Sequence, residues 1–294
     1  MKKISVIVNC HNGEKYLRKC ISSILNQIYQ NYEIIFFDNF SSDNSKKILE
    51  SFKDERIKYF YSDMKFPLYK ARNEAIKKST GSLIAFLDAD DWWENDFLSS
   101  KEKFFEDIKY DYFYSNTLMY YEKNNKFIKY KNFSLPDGQI YEFLAKDYFI
   151  IISGLIVKKE ILEKEKYFNE NYNIIGDYDL IMRISKYSNA KGFDQPLINY
   201  RVHEKNFSKI NNKMYFEEYK DWFDKQNQKN DINFNYNKSH FLLKLEKLEI
   251  IYFLYSNKSL KLFFKIIKFP SFLIKLKFLL AFFLPLKLIN YFRK

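Results

Sequence analysis

An alternation restricts the fold of this chain more than any other feature. Four apolar runs rich in β-branched and aromatic residues lie within the first 90 residues: "KISVIVN" (3–9), "EIIFF" (33–37), "IKYFYS" (57–62) and "SLIAFLD" (82–88). Each reads as a buried strand. Helical segments fall between them. In "HNGEKYLRKCISSILNQ" a turn at Asn12-Gly13 precedes Tyr16, Leu17, Cys20, Ile21, Ile24 and Leu25 at helical spacing. "SSDNSKKILESF" offers Ser or Asp as an N-cap, and "LYKARNEAIKKS" (68–79) is a third helix with Gly81 as its stop signal. Strand and helix in strict succession predict an α/β fold: a single Rossmann-type, mostly parallel sheet with flanking helices.

Ligands of such sheets bind beyond the carboxyl ends of the strands. In this chain those ends carry Asn9 to Asn12, Asp38-Asn39 and Asp88 to Asp91. Three carboxylates within four residues, Asp88, Asp90 and Asp91, repel one another. One of them as the N-cap of a helix beginning at Trp92 would be ordinary. Three exceed what a cap requires and point to a divalent cation, because hard ions take oxygen ligands and Mg²⁺ is typically shared between one or two carboxylates and substrate phosphates. Trp92 and Trp93 fit core packing as well as a sugar platform.

The second half is less regular. Residues 111–133 alternate aromatic and polar residues, as strands or a hairpin would. "ISGLIVKKEIL" (152–162) predicts a strand running into a helix, "NIIGDYDLIMRISKYS" (173–188) a turn before a helix, and "PLINYRVH" (196–203) a last strand. Residues 204–240 read as a polar connection with some helix. The net charge of +12 is concentrated at the end: residues 241–294 contribute +9, so the main body is not a nucleic-acid binder. There, Lys258, Lys261, Lys265 and Lys268 predict a basic helical stripe, and the apolar run "FLLAFFLPL" (278–286) is short of the ~20 residues a spanning helix needs. A basic, apolar helical tail lying on an anionic membrane surface follows, with packing on the domain or on a partner as the alternative. Cys10 and Cys20 have neither disulfide-framework nor metal-site spacing. The N-terminus lacks an apolar stretch of signal-peptide length, so a cytoplasmic protein attached peripherally to the inner face of the membrane is expected.

The chain resembles the family 2 glycosyltransferases of the GT-A fold. The match runs in order through "SVIVNCHNGEKYLRKCISSILNQIYQNYEIIFFDNFSSDNS", "KARNEAIKKSTGSLIAFLDADDWWENDFL", "FNENYNIIGDYDLIMRIS" and "YRVH", over roughly residues 3–203. The resemblance implies inverting, metal-dependent transfer of a sugar from a nucleotide-sugar, a UDP-sugar favoured, to a glycan or lipid-linked acceptor in bacterial surface polysaccharide synthesis. It implies donor binding by Asn9, His11, Asp38, Asn39, Arg72, Asp88 and Asp90. Asp177 falls at the position of the catalytic base, with Asp179 second to it. Mn²⁺ or Mg²⁺ would be held by Asp90, Asp91 and His203. Residues 1–110 would form the nucleotide-sugar half, 111–215 the acceptor and catalytic half, and 216–294 the connection and tail. The chain departs from the family at Asn39, often a second acid, and at His11, often tyrosine. Plain structural roles also fit: an N-cap for Asp177, a surface ion pair for Arg72, an ordinary histidine for His203.

Two rival classes carry different signatures. A sugar-phosphate nucleotidyltransferase would show a glycine-rich phosphate loop after the first strand, and "NCHNGEKYL" is not one. A non-catalytic nucleotide-binding or membrane scaffold protein of the same fold would not need Asp88, Asp90 and Asp177 all present.

Overall fold

The computed structural model describes residues 1–256 and 258–284, the side chains of Ser208 and Lys209 excepted. The chain divides into two compact units, Met1–Glu204 and Lys205–Lys294.

The first unit begins with the alternation read above: β1 (Ile4–Cys10), α1 (Glu14–Leu25), β2 (Tyr32–Asp38), α2 (Ser45–Glu50), β3 (Ile57–Tyr61), α3 (Leu68–Lys77) and β4 (Leu83–Phe86). It continues through β5 (Trp92–Trp93), β6 (Tyr112–Tyr121), β7 (Lys126–Lys129), α4 (Tyr141–Lys146), β8 (Leu155–Lys158), α5 (Lys159–Lys164), α6 (Gly176–Ile184) and β9 (Ala190–Val202). One mixed sheet runs β3-β2-β1-β4-β8-β6-β9-β5, with β7 paired to β6. β1, β2, β3 and β4 are mutually parallel, and so are β6 and β9. The shorter pairings of β8 with β4 and β6, of β7 with β6 and of β5 with β9 are antiparallel. β1, β2 and β4 are buried almost throughout, which is why they read as unbroken apolar runs. Leu17, Cys20, Ile21 and Ile24 of α1 are fully buried in the core beside them.

The register places Cys10 opposite Asp38 and Asp38 opposite Tyr61, so the carboxyl ends of β1, β2 and β3 are level. Two helices start beside each other at that edge and cap one another. Asp43 accepts from the backbone N–H of Glu14 at 2.9 Å, at the start of α1, and from Ser45 N–H at 2.9 Å, at the start of α2. Glu14 in return accepts from the backbone and side-chain N–H of Asn44, at 3.0 and 2.9 Å. Each carboxylate stabilises the positive end of a helix dipole. Asn12, at φ +55°, completes the link by accepting from Ser42 N–H at 2.8 Å.

Two local expectations change. Gly81 is not a helix stop, since α3 ends at Lys77. It lies against β1, where a Cβ would sit 2.7 Å from Lys3 O and from Ser5 N. Nor does a helix begin at Trp92: Trp92–Trp93 pair with β9 as a strand, so neither Asp90 nor Asp91 is a helix cap.

Glu33 is buried next to the start of β2. Its carboxylate accepts from Lys3 (3.0 Å), Lys58 (2.5 Å), Ser5 (2.6 Å) and the N–H and hydroxyl of Thr80 (2.7 and 2.9 Å). Burial opposes its ionisation, but these donors outweigh it and hold the carboxyl well below the usual range. A depressed folded-state pKa stabilises the fold above the unfolded value near 4.3, and the contribution drains away as pH falls below that value. Glu33→Ala is expected to cost about 2–3 kcal/mol in urea titrations at pH 7. That is the low side for breaking a buried pair, because Lys3 and Lys58 remain partly solvated. The deficit should narrow as the pH is lowered below 4. An equal deficit at pH 7 and pH 3 would show that ionisation plays no part.

The second unit is helical: α7 (Phe207–Ile210), α8 (Asn212–Gln228), α9 (Ile232–Ser256), α10 (Leu260–Lys268) and α11 (Phe272–Phe283). The segment read as a polar connection therefore folds largely as helix. Tyr219, Trp222 and Phe223 of α8 lie one turn apart and bury against Phe234 and Phe241 of α9. A second cluster joins α9, α10 and α11 through Ile250, Leu254, Leu262, Ile266, Phe269 and Phe278. Lys258 leaves the expected basic stripe. It precedes α10 and donates to the carbonyls of Ala281 and Phe282, both at 2.9 Å, at the negative end of α11. Lys265 pairs with Glu249. Pro285 and Leu286 of the expected apolar run lie outside the described residues.

Candidate active site

The acidic loop follows β4 directly. Leu87 N–H still bonds Ile7 O at 3.1 Å, and the chain then turns, Asp91 N–H closing on Asp88 O at 3.0 Å. The three carboxylates of this turn meet three different environments. Asp91 points into the protein and is 1% exposed. Its Oδ2 accepts from Ser153 Oγ at 2.6 Å and its Oδ1 from Arg201 N–H at 2.8 Å. It thereby ties the loop to the segment before β8 and to β9. Burial, reinforced by the charges of Asp90 and Asp88, pushes its pKa well up.

Asp90 and Asp88 keep about a third of their side-chain surface open, 32% and 33%. Asp90 Oδ2 lies 2.9 Å from His203 Nε2, so two of the three residues expected to share a metal ion, 113 positions apart, are side by side. Asp88 forms an ion pair with Arg72, whose side chain is buried. Loss of solvation raises the pKa of Asp88, the Arg72 guanidinium pulls it back, and Asp90 raises it further.

Arg72 belongs to α3, and Tyr69 one turn earlier reaches the same site. The Tyr69 hydroxyl lies 3.1 Å from Asp177 Oδ1. Asp177, in the first turn of α6, also accepts from Tyr178 N–H at 2.8 Å through that oxygen. Burial raises its pKa and Arg72 opposes the rise, so Arg72 acts electrostatically on both Asp88 and Asp177. Asp179, the second candidate for this role, is buried and pairs with Arg183 at 3.0 Å.

At the ends of β1 and β2 the predicted donor-binding residues are largely engaged within the protein. Asp38 is buried and accepts from Ser41 N–H (2.8 Å) and Tyr59 OH (3.1 Å). Asn39 spends both amide atoms on the backbone of Phe66, at 2.9 and 2.8 Å. His11 Nδ1 lies 2.9 Å from Asn39 O, and because a carbonyl only accepts, Nδ1 carries the proton. Asn9 differs: both polar atoms of its side chain are buried without a hydrogen-bond partner among the described residues. Such a group costs about 1–3 kcal/mol.

The tryptophans belong to the core. Trp92 has Lys19 Nζ 3.4 Å and the Arg201 guanidinium 4.7 Å from its ring centroid, and Trp93 Nε1 donates to Ser153 O at 2.6 Å. Arg201 also donates through Nε to Asp90 O at 2.9 Å and lies 4.4 Å from the ring centroid of Tyr16, which in turn packs 5.1 Å from His203. Sequence reading missed Tyr69, Ser153, Arg201 and Tyr16 as parts of this site. A signal existed for two of them: Arg201 is in the quoted "YRVH", and Tyr69 stands one helical turn before Arg72.

Among the described residues, no group of three His, Cys, Asp or Glu side chains is arranged to hold a metal ion by itself. Asp90 and His203 offer an oxygen and a nitrogen donor side by side, which suits an ion completing its shell with ligand oxygens.

Known proteins resemble this chain in sequence and in fold. The family model for "Glycosyl transferase family 2" matches residues 5–187. The Escherichia coli UDP-Glc:alpha-D-GlcNAc-diphosphoundecaprenol beta-1,3-glucosyltransferase WfaP is 32% identical over 206 residues, covering 69% of this chain and 78% of that protein. Glycosyltransferase GlyA of Streptococcus pneumoniae serotype 4 is 31% identical over 180 residues, which are 56% of this chain but 26% of GlyA, so the chain spans only about a quarter of that relative. Among solved structures, the mannosyltransferase PcManGT from Pyrobaculum calidifontis, in complex with GDP-Man and Mn²⁺, aligns with TM-score 0.63 at 14% identity, covering 98% of this chain and 83% of that one. Residues 1–349 of Staphylococcus aureus TarS with UDP-GlcNAc align with TM-score 0.59 at 16% identity, covering 95% and 71%. These structural neighbours agree in fold, and the family model spans the strand ends, the acidic loop and Asp177 alike: the chain belongs to glycosyl transferase family 2.

Proposed function

We propose that this glycosyltransferase moves a hexosyl group from a nucleotide-sugar, preferentially a UDP-sugar, to a hydroxyl of a glycan or lipid-linked acceptor with inversion at the anomeric carbon. One observation carries the reading: α3 joins the two acidic groups, Arg72 pairing with Asp88 at the end of β4 and Tyr69, one turn earlier, meeting Asp177 Oδ1 at 3.1 Å, with Asp90 a third open beside them. Asp177 takes the proton of the acceptor hydroxyl as that oxygen forms a bond to the anomeric carbon. The bond from that carbon to the diphosphate breaks on the opposite face, and the nucleoside diphosphate leaves. A single displacement of this kind inverts the centre. Arg72 favours the ionised form of Asp177 that the step requires.

Asp90 and His203 would hold Mn²⁺ or Mg²⁺, which when bound supplies charge neutralisation for the diphosphate leaving group. Asp91 supports the loop from behind. Asp88 and Asp90 serve the ribose, and the amide of Asn9 gains a partner in the bound nucleotide, beside the loop that His11, Asp38 and Asn39 hold in shape. The names of the similar proteins support this chemistry: WfaP uses UDP-Glc and a diphosphoundecaprenol-linked acceptor, TarS was crystallised with UDP-GlcNAc, and PcManGT with GDP-Man and Mn²⁺. A role in bacterial surface polysaccharide synthesis follows. Incubation with UDP-glucose, UDP-N-acetylglucosamine or GDP-mannose should release nucleoside diphosphate from a uridine donor with Mn²⁺ or Mg²⁺, and not in EDTA. Tight nucleotide binding with no release from any donor would favour a non-catalytic binder instead.

The helical unit serves as a peripheral anchor on the inner face of the cytoplasmic membrane in this reading. No described helix is long and apolar enough to cross a membrane. Yet Leu260, Phe264 and Ile267 of α10, and Phe272, Leu273, Leu276, Leu280 and Phe283 of α11, are exposed at helical spacing. Lys261, Lys268, Lys275 and Lys277 flank them with no acidic residue on either helix, which matches an anionic lipid surface. Vesicles containing phosphatidylglycerol should sediment the protein, and Phe264→Glu with Leu273→Glu should abolish this. Sedimentation of that variant at the original level would refute the anchor.

A further inference from the structure

The two residues of α3 that reach the site do different work. Arg72 holds Asp88, whereas Tyr69 meets Asp177, and the way it does so is costly unless it serves a purpose. Tyr69 is 2% exposed, and its one hydroxyl hydrogen is shared between two acceptors, Asp177 Oδ1 and Ile174 O, each 3.1 Å away. Its ring covers Gly176, where a Cβ would sit 2.5 Å from Cε2 and 2.6 Å from Cγ. Any other residue at 176 would force the ring away, and glycine at the start of a helix is a poor helix former.

The result is an asymmetric carboxylate. Oδ1 receives Tyr69 OH and Tyr178 N–H, while Oδ2 has no hydrogen-bond partner among the described residues. The terminal torsion of an aspartate is otherwise broad. We propose that Tyr69 is the positioning residue for Asp177: its phenol, seated over Gly176, fixes Oδ1 and leaves Oδ2 as the oxygen that receives the acceptor proton. This rests on Asp177 being the base.

The groups that face Asp177 are Tyr69 and Arg72 from α3, Asp88 beyond β4, Tyr200 from β9, and Tyr178 on its own helix. Of these, Tyr69 → Phe removes one hydrogen-bond donor and keeps the ring, so the packing over Gly176 survives. A hydrogen bond to the ionised form favours it, so its loss raises the carboxyl pKa.

The test uses the full chain with aspartate carboxyl carbons labelled with ¹³C, the Asp177 resonance being identified by its absence in Asp177→Asn. In Tyr69→Phe the titration midpoint of Asp177 should move up by about one pH unit. With UDP-glucose and Mn²⁺, Tyr69→Phe should lower kcat for UDP release roughly tenfold with KM within about twofold, and shift the acidic limb of the pH profile upward. It should change nothing further in an Asp177→Asn background. Gly176→Ala should reproduce the loss, because it displaces the ring. An unmoved Asp177 midpoint, or a wild-type acidic limb, in Tyr69→Phe overturns the positioning role while leaving Asp177 as base. Full turnover by Asp177→Asn overturns the reading beneath it.

Discussion

Asp177→Asn should lower the rate of nucleoside diphosphate release by ~10²–10⁴-fold, the range of a lost general base, with donor affinity within about twofold of the original. The substitution keeps the shape of the side chain and its hydrogen bonds at Oδ1, where Tyr69 and Tyr178 donate. What it removes is the capacity to accept a proton. An amide in that place leaves Arg72 facing Asp88 alone, which should if anything tighten that ion pair. The same group sets the pH dependence. Burial raises the Asp177 pKa above the ordinary carboxylate value, so activity should fall on the acidic side at a higher pH than a solvated aspartate would give. Initial rates from pH 4 to 8, with donor affinity measured separately by calorimetry, check both statements. An asparagine variant at wild-type rate would remove Asp177 from the chemistry.

Asp90→Ala should weaken UDP binding in Mn²⁺ by at least tenfold, about 1.4 kcal/mol, and bring it close to the affinity measured in EDTA. The reason lies in the three environments of the acidic loop. Asp91 is committed to Ser153 and Arg201, and Asp88 to Arg72, which leaves Asp90 with its histidine partner as the carboxylate best placed to share an ion with a diphosphate. Removing it also takes a hydrogen-bond partner from His203. Titration calorimetry of UDP with and without Mn²⁺ separates the two effects, since only the metal-linked part should vanish. An affinity in Mn²⁺ equal to that of the unaltered protein would place the ion elsewhere or nowhere.

How much of this was legible differs from element to element. β1, β2 and β4 announced themselves because strands buried on both faces are unbroken apolar runs. The acidic loop was legible because three adjacent carboxylates need a reason. β8, inserted antiparallel between β4 and β6, carries no mark of its direction in four residues of "LIVK". The polar stretch after residue 204 misled because its exposed Lys, Asp and Asn outnumber the few aromatics that hold α8 to α9. Lys258 counted as one of a basic stripe until the helix boundary put it outside α10, on the carbonyls of α11.

Within the site the division is sharper. Asp88, Asp90 and Asp91 could be named from residue type alone, because charge at the end of an apolar run is costly and local, whereas Arg72, Asp177 and His203 were named through the family resemblance. Which carboxylate faces inward, which meets the histidine and which oxygen of Asp177 stays open are decided by groups far away in sequence. Ser153 stands 62 residues from Asp91, and Tyr69 stands 108 from Asp177. By itself the sequence determined the succession of strands and helices in the first 90 residues and the concentration of charge at the strand ends, since both follow from periodicity and residue type over short spans. Only the tertiary structure decided how three like charges are divided among a buried support, an ion pair and a carboxylate open beside a histidine, because burial and hydrogen bonding across distant segments set the free energy of each.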